Sequence, residues 1–281
     1  MNPHTLIDVS TLQAHLQHED WCILDCRFNL TDTEAGRRAY QQGHIPGARY
    51  AHLDQDLSGP LTPGSGRHPL PQPSDFLHRV QQWGIRADTQ VVAYDDMGGA
   101  MAARLWWLLK SLGHAKVAVL NGGWQAWLTA SAAQQQEIPP CVQSDFQPQA
   151  ALLGQRSLAE VLAQLKEQRW MLVDARAPER FRGEVEPLDP VAGHIPGALN
   201  RPLQLNLQAD GRFKSVDQLR AEWQQLLGER SPKEVVHYCG SGVTACHNLL
   251  AMEHAGLSGS RLYPGSWSEW CQDPGRPVAT G

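Results

Sequence analysis

The chain has no surplus of positive charge: 24 Lys and Arg against 29 Asp and Glu leave 281 residues at a net −5. A nucleic-acid binder carries a basic excess, so that class is excluded. Long apolar runs are also missing. Segments such as Val117–Leu120 fall far short of the roughly 18 consecutive apolar residues of a membrane span. Met1-Asn2-Pro3-His4 has no basic start leading into an apolar stretch, which predicts no secretory leader. The six cysteines, Cys22, Cys26, Cys141, Cys239, Cys246 and Cys271, include no Cys-x-x-Cys pair and no Cys/His zinc spacing. Neither a disulfide scaffold nor a metal site is expected, and most of these thiols are predicted to be small buried apolar groups. With 42% hydrophobic and 19% charged residues, there is material for a core. The expectation is a reduced, cytoplasmic protein with no metal or cofactor, no nucleic-acid partner and no membrane contact. At about 150 residues per domain, two domains are expected.

Internal similarity is the next signal. Gly43-His44-Ile45-Pro46-Gly47-Ala48 recurs as Gly193-His194-Ile195-Pro196-Gly197-Ala198. Ile23-Leu24-Asp25-Cys26-Arg27 matches Leu172-Val173-Asp174-Ala175-Arg176, and Val91-Val92-Ala93-Tyr94-Asp95 matches Val235-Val236-His237-Tyr238-Cys239. Gly122-Gly123-Trp124-Gln125-Ala126-Trp127 matches Gly265-Ser266-Trp267-Ser268-Glu269-Trp270. Four matches in one order indicate a duplication. Gln134-Gln135-Gln136, Pro139-Pro140 and Pro148 mark an aperiodic linker. The division is therefore 1–135, a linker at 136–150, and 151–281.

Each half alternates short apolar strands with helices, which implies an α/β fold: a parallel sheet flanked by helices in each of two tandem domains. The spacing predicts a helix over 158–166, N-capped by Ser157 with Glu160 completing a capping box. Strands are predicted at 170–173 and 234–238, and a helix at 243–253 ended by Gly256. The two Gly-His-Ile-Pro-Gly-Ala segments read as tight turns leading into strands.

The segment that carries chemistry is Tyr238-Cys239-Gly240-Ser241-Gly242-Val243-Thr244-Ala245. A cysteine ends a strand, glycines follow, and a helix begins. Sites in open α/β sheets form at the carboxyl ends of strands. Glycines let the loop curl so that backbone N–H groups point inward, and the helix N-terminus adds positive partial charge. Such a setting stabilises a thiolate at Cys239. The first half has Asp95 there, followed by Asp96-Met97-Gly98-Gly99, so only the second half is expected to be catalytic. Cys246, seven residues on, lies roughly 10 Å along a helix. That is beyond disulfide reach without rearrangement, so it is expected to face the core.

These repeats, the closing Gly-x-Trp-x-x-Trp pattern and the Cys-Gly-Ser-Gly-Val-Thr-Ala loop resemble the two-domain rhodanese-type sulfurtransferases over nearly the whole chain. The resemblance implies a rhodanese-like fold in each half, with the active site in the C-terminal domain. It implies a persulfide on Cys239 within the loop Gly240, Ser241, Gly242, Val243 and Thr244. Sulfur would pass from a small anionic donor to cyanide or to a thiol acceptor such as thioredoxin or glutathione. The loop looks like the 3-mercaptopyruvate branch, because the thiosulfate branch typically has basic residues after the cysteine. Arg180 matches the family's first substrate arginine, and a guanidinium's paired N–H groups suit a carboxylate. Leu188 stands about where that branch has a second arginine, which leaves thiosulfate open as donor and Arg182 or Arg176 as possible compensation. The branch's proposed Asp–His–Ser relay falls on His44 and, loosely, Asp32. A turn role hydrogen-bonded to backbone competes for His44, because His194 occupies the equivalent turn.

Two readings of other classes stand beside this one. A cysteine phosphatase needs an arginine six residues after its cysteine, where this chain has Ala245. A non-catalytic sulfur carrier or interaction module would keep the fold without needing Cys239 and Arg180. The ten tryptophans, including Trp106, Trp107, Trp267 and Trp270, are expected in the core or in domain-interface packing. Arg67-His68-Pro69 lies in a Pro/Gly-rich loop at 58–73, a candidate for the edge of the cleft with no role assigned.

Overall fold

A computed structural model describes residues 4–167 and 169–281. Met1–Pro3, where the leader reading begins, lie outside the described residues. The chain forms two compact units. Unit 1 holds the residues up to Gly59, Pro71–Leu152 and Ala209–Phe213; unit 2 holds Pro60–Leu70, Leu153–Gln208 and Lys214–Gly281. Each half of the sequence therefore contributes a short segment to the other half's unit, an exchange that no composition shift marks.

Unit 1 contains β1 (Leu6–Ile7), β2 (Trp21–Asp25), β3 (Arg49–Tyr50), β4 (Gln90–Tyr94) and β5 (Val117–Leu120), hydrogen-bonded in the order β1-β5-β4-β2-β3. Unit 2 contains β6 (Gly154–Gln155), β7 (Met171–Asp174), β8 (Leu199–Asn200), β9 (Val235–Tyr238) and β10 (Arg261–Leu262), in the order β6-β10-β9-β7-β8. The two orders are the same once the strands are paired by position, and every strand pair is parallel. The duplication is thus one of topology as well as of sequence. Central strands β4 and β9 are buried at every residue, as their continuous apolar character requires. The cores gather Ile23, Val92, Trp124 and Trp127 in unit 1, and Leu172, Val236, Trp267 and Trp270 in unit 2.

Local signals act as read. The helix Leu158–Glu167 starts at a capping box: Glu160 N–H donates to Ser157 Oγ (3.3 Å) and Ser157 N–H to Glu160 Oε2 (2.8 Å). In the repeated turns, Ala48 N–H reaches Ile45 O at 2.9 Å and Ala198 N–H reaches Ile195 O at 3.1 Å. Gly47 and Gly197 have φ of +77° and +78°, so these are type II turns with proline first and glycine second. β3 and β8 follow at once. The helix after Cys239 runs Ala245–His254 and begins two residues later than expected, because Val243 and Thr244 stay with the loop.

Candidate functional site

Cys239 is the first residue after β9, the middle strand of its sheet, and its side chain is buried. Both its main-chain groups are tied down. Its N–H donates to Ser266 Oγ (3.1 Å), and its carbonyl accepts from Trp267 N–H (3.0 Å). Gly240 O accepts from Ser268 N–H (2.8 Å). Gly242 has φ of +75°, and a Cβ there would stand 2.1 Å from Pro264 O, so only glycine allows this curl. The curl delivers Gly242 N–H to Cys239 Sγ at 3.2 Å, and a donor at that atom stabilises negative charge on sulfur. Ser266 is buried with φ of +55°, a left-handed conformation rare for serine. Its hydroxyl accepts from Cys239 N–H and donates to Tyr263 O (2.9 Å).

Residues 60–70 fold with this unit and bring two further side chains. His68 Nδ1 lies 2.7 Å from Ser241 Oγ, with both residues buried. Arg67 N–H donates to Ser268 Oγ (3.0 Å). Its guanidinium pairs with Asp189. Gly66 permits the close approach, since a Cβ there would meet Gly265 O at 2.6 Å.

Arg180 stands on the same side of the loop. It pairs with Glu186 through Nη2 (2.6 Å) and with Asp189 through Nη2 (3.4 Å). Both carboxylates are buried, whereas the Arg67 and Arg180 side chains remain 28% and 18% exposed. The arginines are therefore the groups a ligand can reach. Burial pushes the Asp189 carboxyl above the usual carboxylate range, against the pull of Arg67 beside it.

The corresponding loop of unit 1 uses the same construction to another end. Asp95 follows β4, and its carbonyl accepts from Trp124 N–H (2.7 Å), as Cys239 O does from Trp267. Its carboxylate takes four backbone donors: Met97 and Gly99 N–H at 2.8 Å on Oδ1, and Met101 and Ala102 N–H at 2.7 and 2.8 Å on Oδ2. This loop is an anion cradle filled by its own side chain. The residue matching Ser266 is Gly123, with φ of +54°. A Cβ there would lie 2.2 Å from Asp95 O.

His44 is buried in its turn, with Nδ1 2.8 Å from Tyr40 O and its ring stacked on Tyr40 at 4.0 Å. His194 repeats this on Phe181, at 2.7 Å to its carbonyl and 3.7 Å between rings. Both histidines are thus held in their turns through Nδ1 and the stacked ring. Asp32 is half-exposed and pairs with Arg38. The histidine hydrogen-bonded to Ser241 is His68. The only sequence hint of it was its place in a loop without periodicity, beside a cation. Arg176 is buried in a bidentate pair with Asp174, donates to Gly193 O (2.7 Å) and lies over Trp267 at 4.9 Å. Arg27 does the same with Asp25, Gly43 O and Trp124, so Arg176 belongs to the scaffold. Arg182 is exposed and paired with Glu184. Leu188 is half-exposed. Cys246 is buried with its thiol toward Gly242 O (3.5 Å), and all six cysteines are free.

Among the described residues no helix is long and apolar enough to cross a membrane, and no cluster of His, Cys, Asp or Glu has metal-binding geometry. The rhodanese-like domain model matches residues 8–130 and 157–273. A Pseudomonas aeruginosa protein named "Probable 3-mercaptopyruvate sulfurtransferase" is 51% identical over all of both chains. The thiosulfate sulfurtransferase of Rattus norvegicus is 36% identical over 88% of this chain and 84% of its own. Among solved structures, the 3-mercaptopyruvate sulfurtransferase from Leishmania major superimposes with a TM-score of 0.83 at 34% identity, covering 95% of this chain and 74% of that one. Escherichia coli SseA, a 3-mercaptopyruvate sulfotransferase by its description, gives 0.82 at 29% identity, over 95% and 100%. With both domains matched and a relative half-identical along its whole length, the chain belongs to the rhodanese family.

Proposed function

We propose that this protein is a sulfurtransferase that takes a sulfane sulfur from 3-mercaptopyruvate onto Cys239 and passes it to a thiophilic acceptor. In the first step the Cys239 thiolate attacks the donor sulfur. The S–S bond forms, the carbon–sulfur bond breaks, and its electron pair leaves on carbon as the enolate of pyruvate. The thiol proton of the donor ends on that carbon, so thiolate plus mercaptopyruvate becomes persulfide anion plus pyruvate with no redox partner. In the second step cyanide, or a thiol such as glutathione or thioredoxin, attacks the outer sulfur and releases the Cys239 thiolate. This is double-displacement covalent catalysis. Gly242 N–H, 3.2 Å from Cys239 Sγ, stabilises the thiolate that attacks and is released again.

The observation that carries the choice of donor is the Ser241–His68 hydrogen bond at 2.7 Å, two residues beyond the nucleophile. A serine–histidine pair is suited to moving the thiol proton that mercaptopyruvate carries and thiosulfate lacks. The charge balance agrees: Arg67 and Arg180 are offset by Glu186 and Asp189, which favours a single carboxylate over a dianion. Thiosulfate is the second reading, supported by the relative of that name in Rattus norvegicus. A reduced cytoplasmic setting fits six free thiols.

The test runs sulfur transfer to cyanide with both donors in parallel, with the mass of the loaded protein read alongside. The expected result is a mass gain of one sulfur atom on Cys239, stoichiometric pyruvate, and a higher kcat/KM for mercaptopyruvate. Cys239→Ser should lose the sulfur and the turnover together. A binding function that survives in Cys239→Ser, with no sulfur gained by the unaltered protein, would instead identify a carrier or interaction module.

A further inference from the structure

Two guanidiniums converge on the residue next to the nucleophile. A Cβ placed on Gly240 would lie 2.9 Å from Arg67 Nη2, 3.5 Å from Arg180 Nη1 and 3.7 Å from Arg180 Nη2. The bare backbone of Gly240 thus leaves a space bounded by both. One buried carboxylate, Asp189, holds them together, with Oδ1 on Arg67 and Oδ2 on Arg180. Glu186 takes the Nε–Nη2 edge of Arg180 (3.3 and 2.6 Å), sharing Nη2 with Asp189, and accepts the N–H groups of Leu188 and Asp189 (3.1 and 3.2 Å). The segment that bears the acids is thereby pinned to Arg180.

Arg67 is also placed by its backbone. Its N–H sits on Ser268 Oγ, and Ser268 N–H sits on Gly240 O. One serine therefore links the main chain of Arg67 to that of the catalytic loop. Gly66 before it makes the close approach, and His68 after it meets Ser241. Three consecutive residues of one loop are committed to this site. A surface arginine would have neither the fixed main chain nor the buried carboxylate.

We infer that Arg67 is the second donor-binding cation of the site, closing on the donor carboxylate opposite Arg180. The position near 188 holds an uncharged leucine, and the cation is supplied from residues 60–70 instead. Asp189 is the positioning residue that spaces the two guanidiniums for one carboxylate.

This inference rests on the sulfurtransferase reading for its kinetics but not for its binding arm. In the full chain, Arg67→Gln is expected to raise KM for 3-mercaptopyruvate about ten- to hundredfold, the range for a hydrogen bond to a charged group. The change in kcat should be much smaller. Arg67→Lys, which keeps the charge and loses the fork, should fall between. The second arm titrates pyruvate, an unreactive carboxylate, calorimetrically. Arg67→Gln and Arg180→Gln should each bind it at least about tenfold more weakly than the unaltered protein. A fall in kcat at unchanged KM would show that Arg67 only holds the loop, and equal pyruvate affinity would exclude it from carboxylate binding. Either result overturns the assignment. If the unaltered protein gains no sulfur from either donor, the enzyme reading fails, and the pyruvate titration still decides Arg67.

Discussion

Asp95 and Cys239 sit at the same position after matching strands, and the side chain decides what each loop holds: a carboxylate that fills its own cradle, or a thiol. A carboxylate placed there accepts four N–H groups at 2.7–2.8 Å, and charge-assisted bonds of that length are the strong ones. The first loop is thus satisfied and rigid without any ligand. Asp95→Asn tests this directly. An amide keeps one acceptor oxygen and turns an NH₂ toward two of the donors, leaving them buried without partners. The expected loss is about 2–4 kcal/mol, read as a lower urea midpoint by a probe in the first unit, with Cys239 chemistry little changed. A shift within experimental scatter would mean that the four bonds are not what stabilises that loop.

At the scale of elements, the strands and repeated turns were legible because each carries its own local physics. Proline and glycine at fixed places in Ile45-Pro46-Gly47-Ala48 leave one turn type available, and an apolar run such as Val91–Val92–Ala93 has only a buried sheet to enter. His237, on the buried strand β9, is the exception to its apolar surroundings. It packs edge-on against Trp223 and touches Met252 Sδ at 3.2 Å. Burial, helped by Arg201, pushes its pKa down to about 3. The unfolded chain takes up a proton near pH 6.5 that the folded protein refuses until about pH 3, so stability falls progressively as the pH drops through that window. His237→Leu removes the titration. Between pH 7 and 4.5 it should lose about 2–3 kcal/mol less than the unaltered protein, measured by urea unfolding at both pH values. Equal losses would show that other groups set the acid sensitivity.

For the molecule as a whole, the site was legible only where its residues are sequence neighbours. Cys239 and its glycines announce themselves within a few positions, and Arg180 follows from the family pattern. Arg67 and His68 do not, because a Pro/Gly-rich loop has no periodicity and nothing local says which unit it joins. The turn histidine His44 was the more visible candidate for the opposite reason: it lies in the most recognisable motif of the chain, whose own geometry uses it. The assignment of Pro60–Leu70 to unit 2 predicts that a fragment of residues 151–281 lacks both a cation and a histidine of its site. It should load sulfur about a hundredfold or more slowly than the full chain, with partial recovery when a peptide of residues 60–70 is added. A fragment as fast as the full chain would show that the loop is dispensable.

The same exchange bears on ancestry. Two copies of a domain joined end to end can ordinarily part again, one drifting or disappearing while the other carries on. Once each copy houses a strip of the other's polypeptide, a deletion of either leaves a gap in the survivor. The half that carries Asp95 in place of the cysteine then persists for what it lends, and the pair is inherited as one indivisible gene.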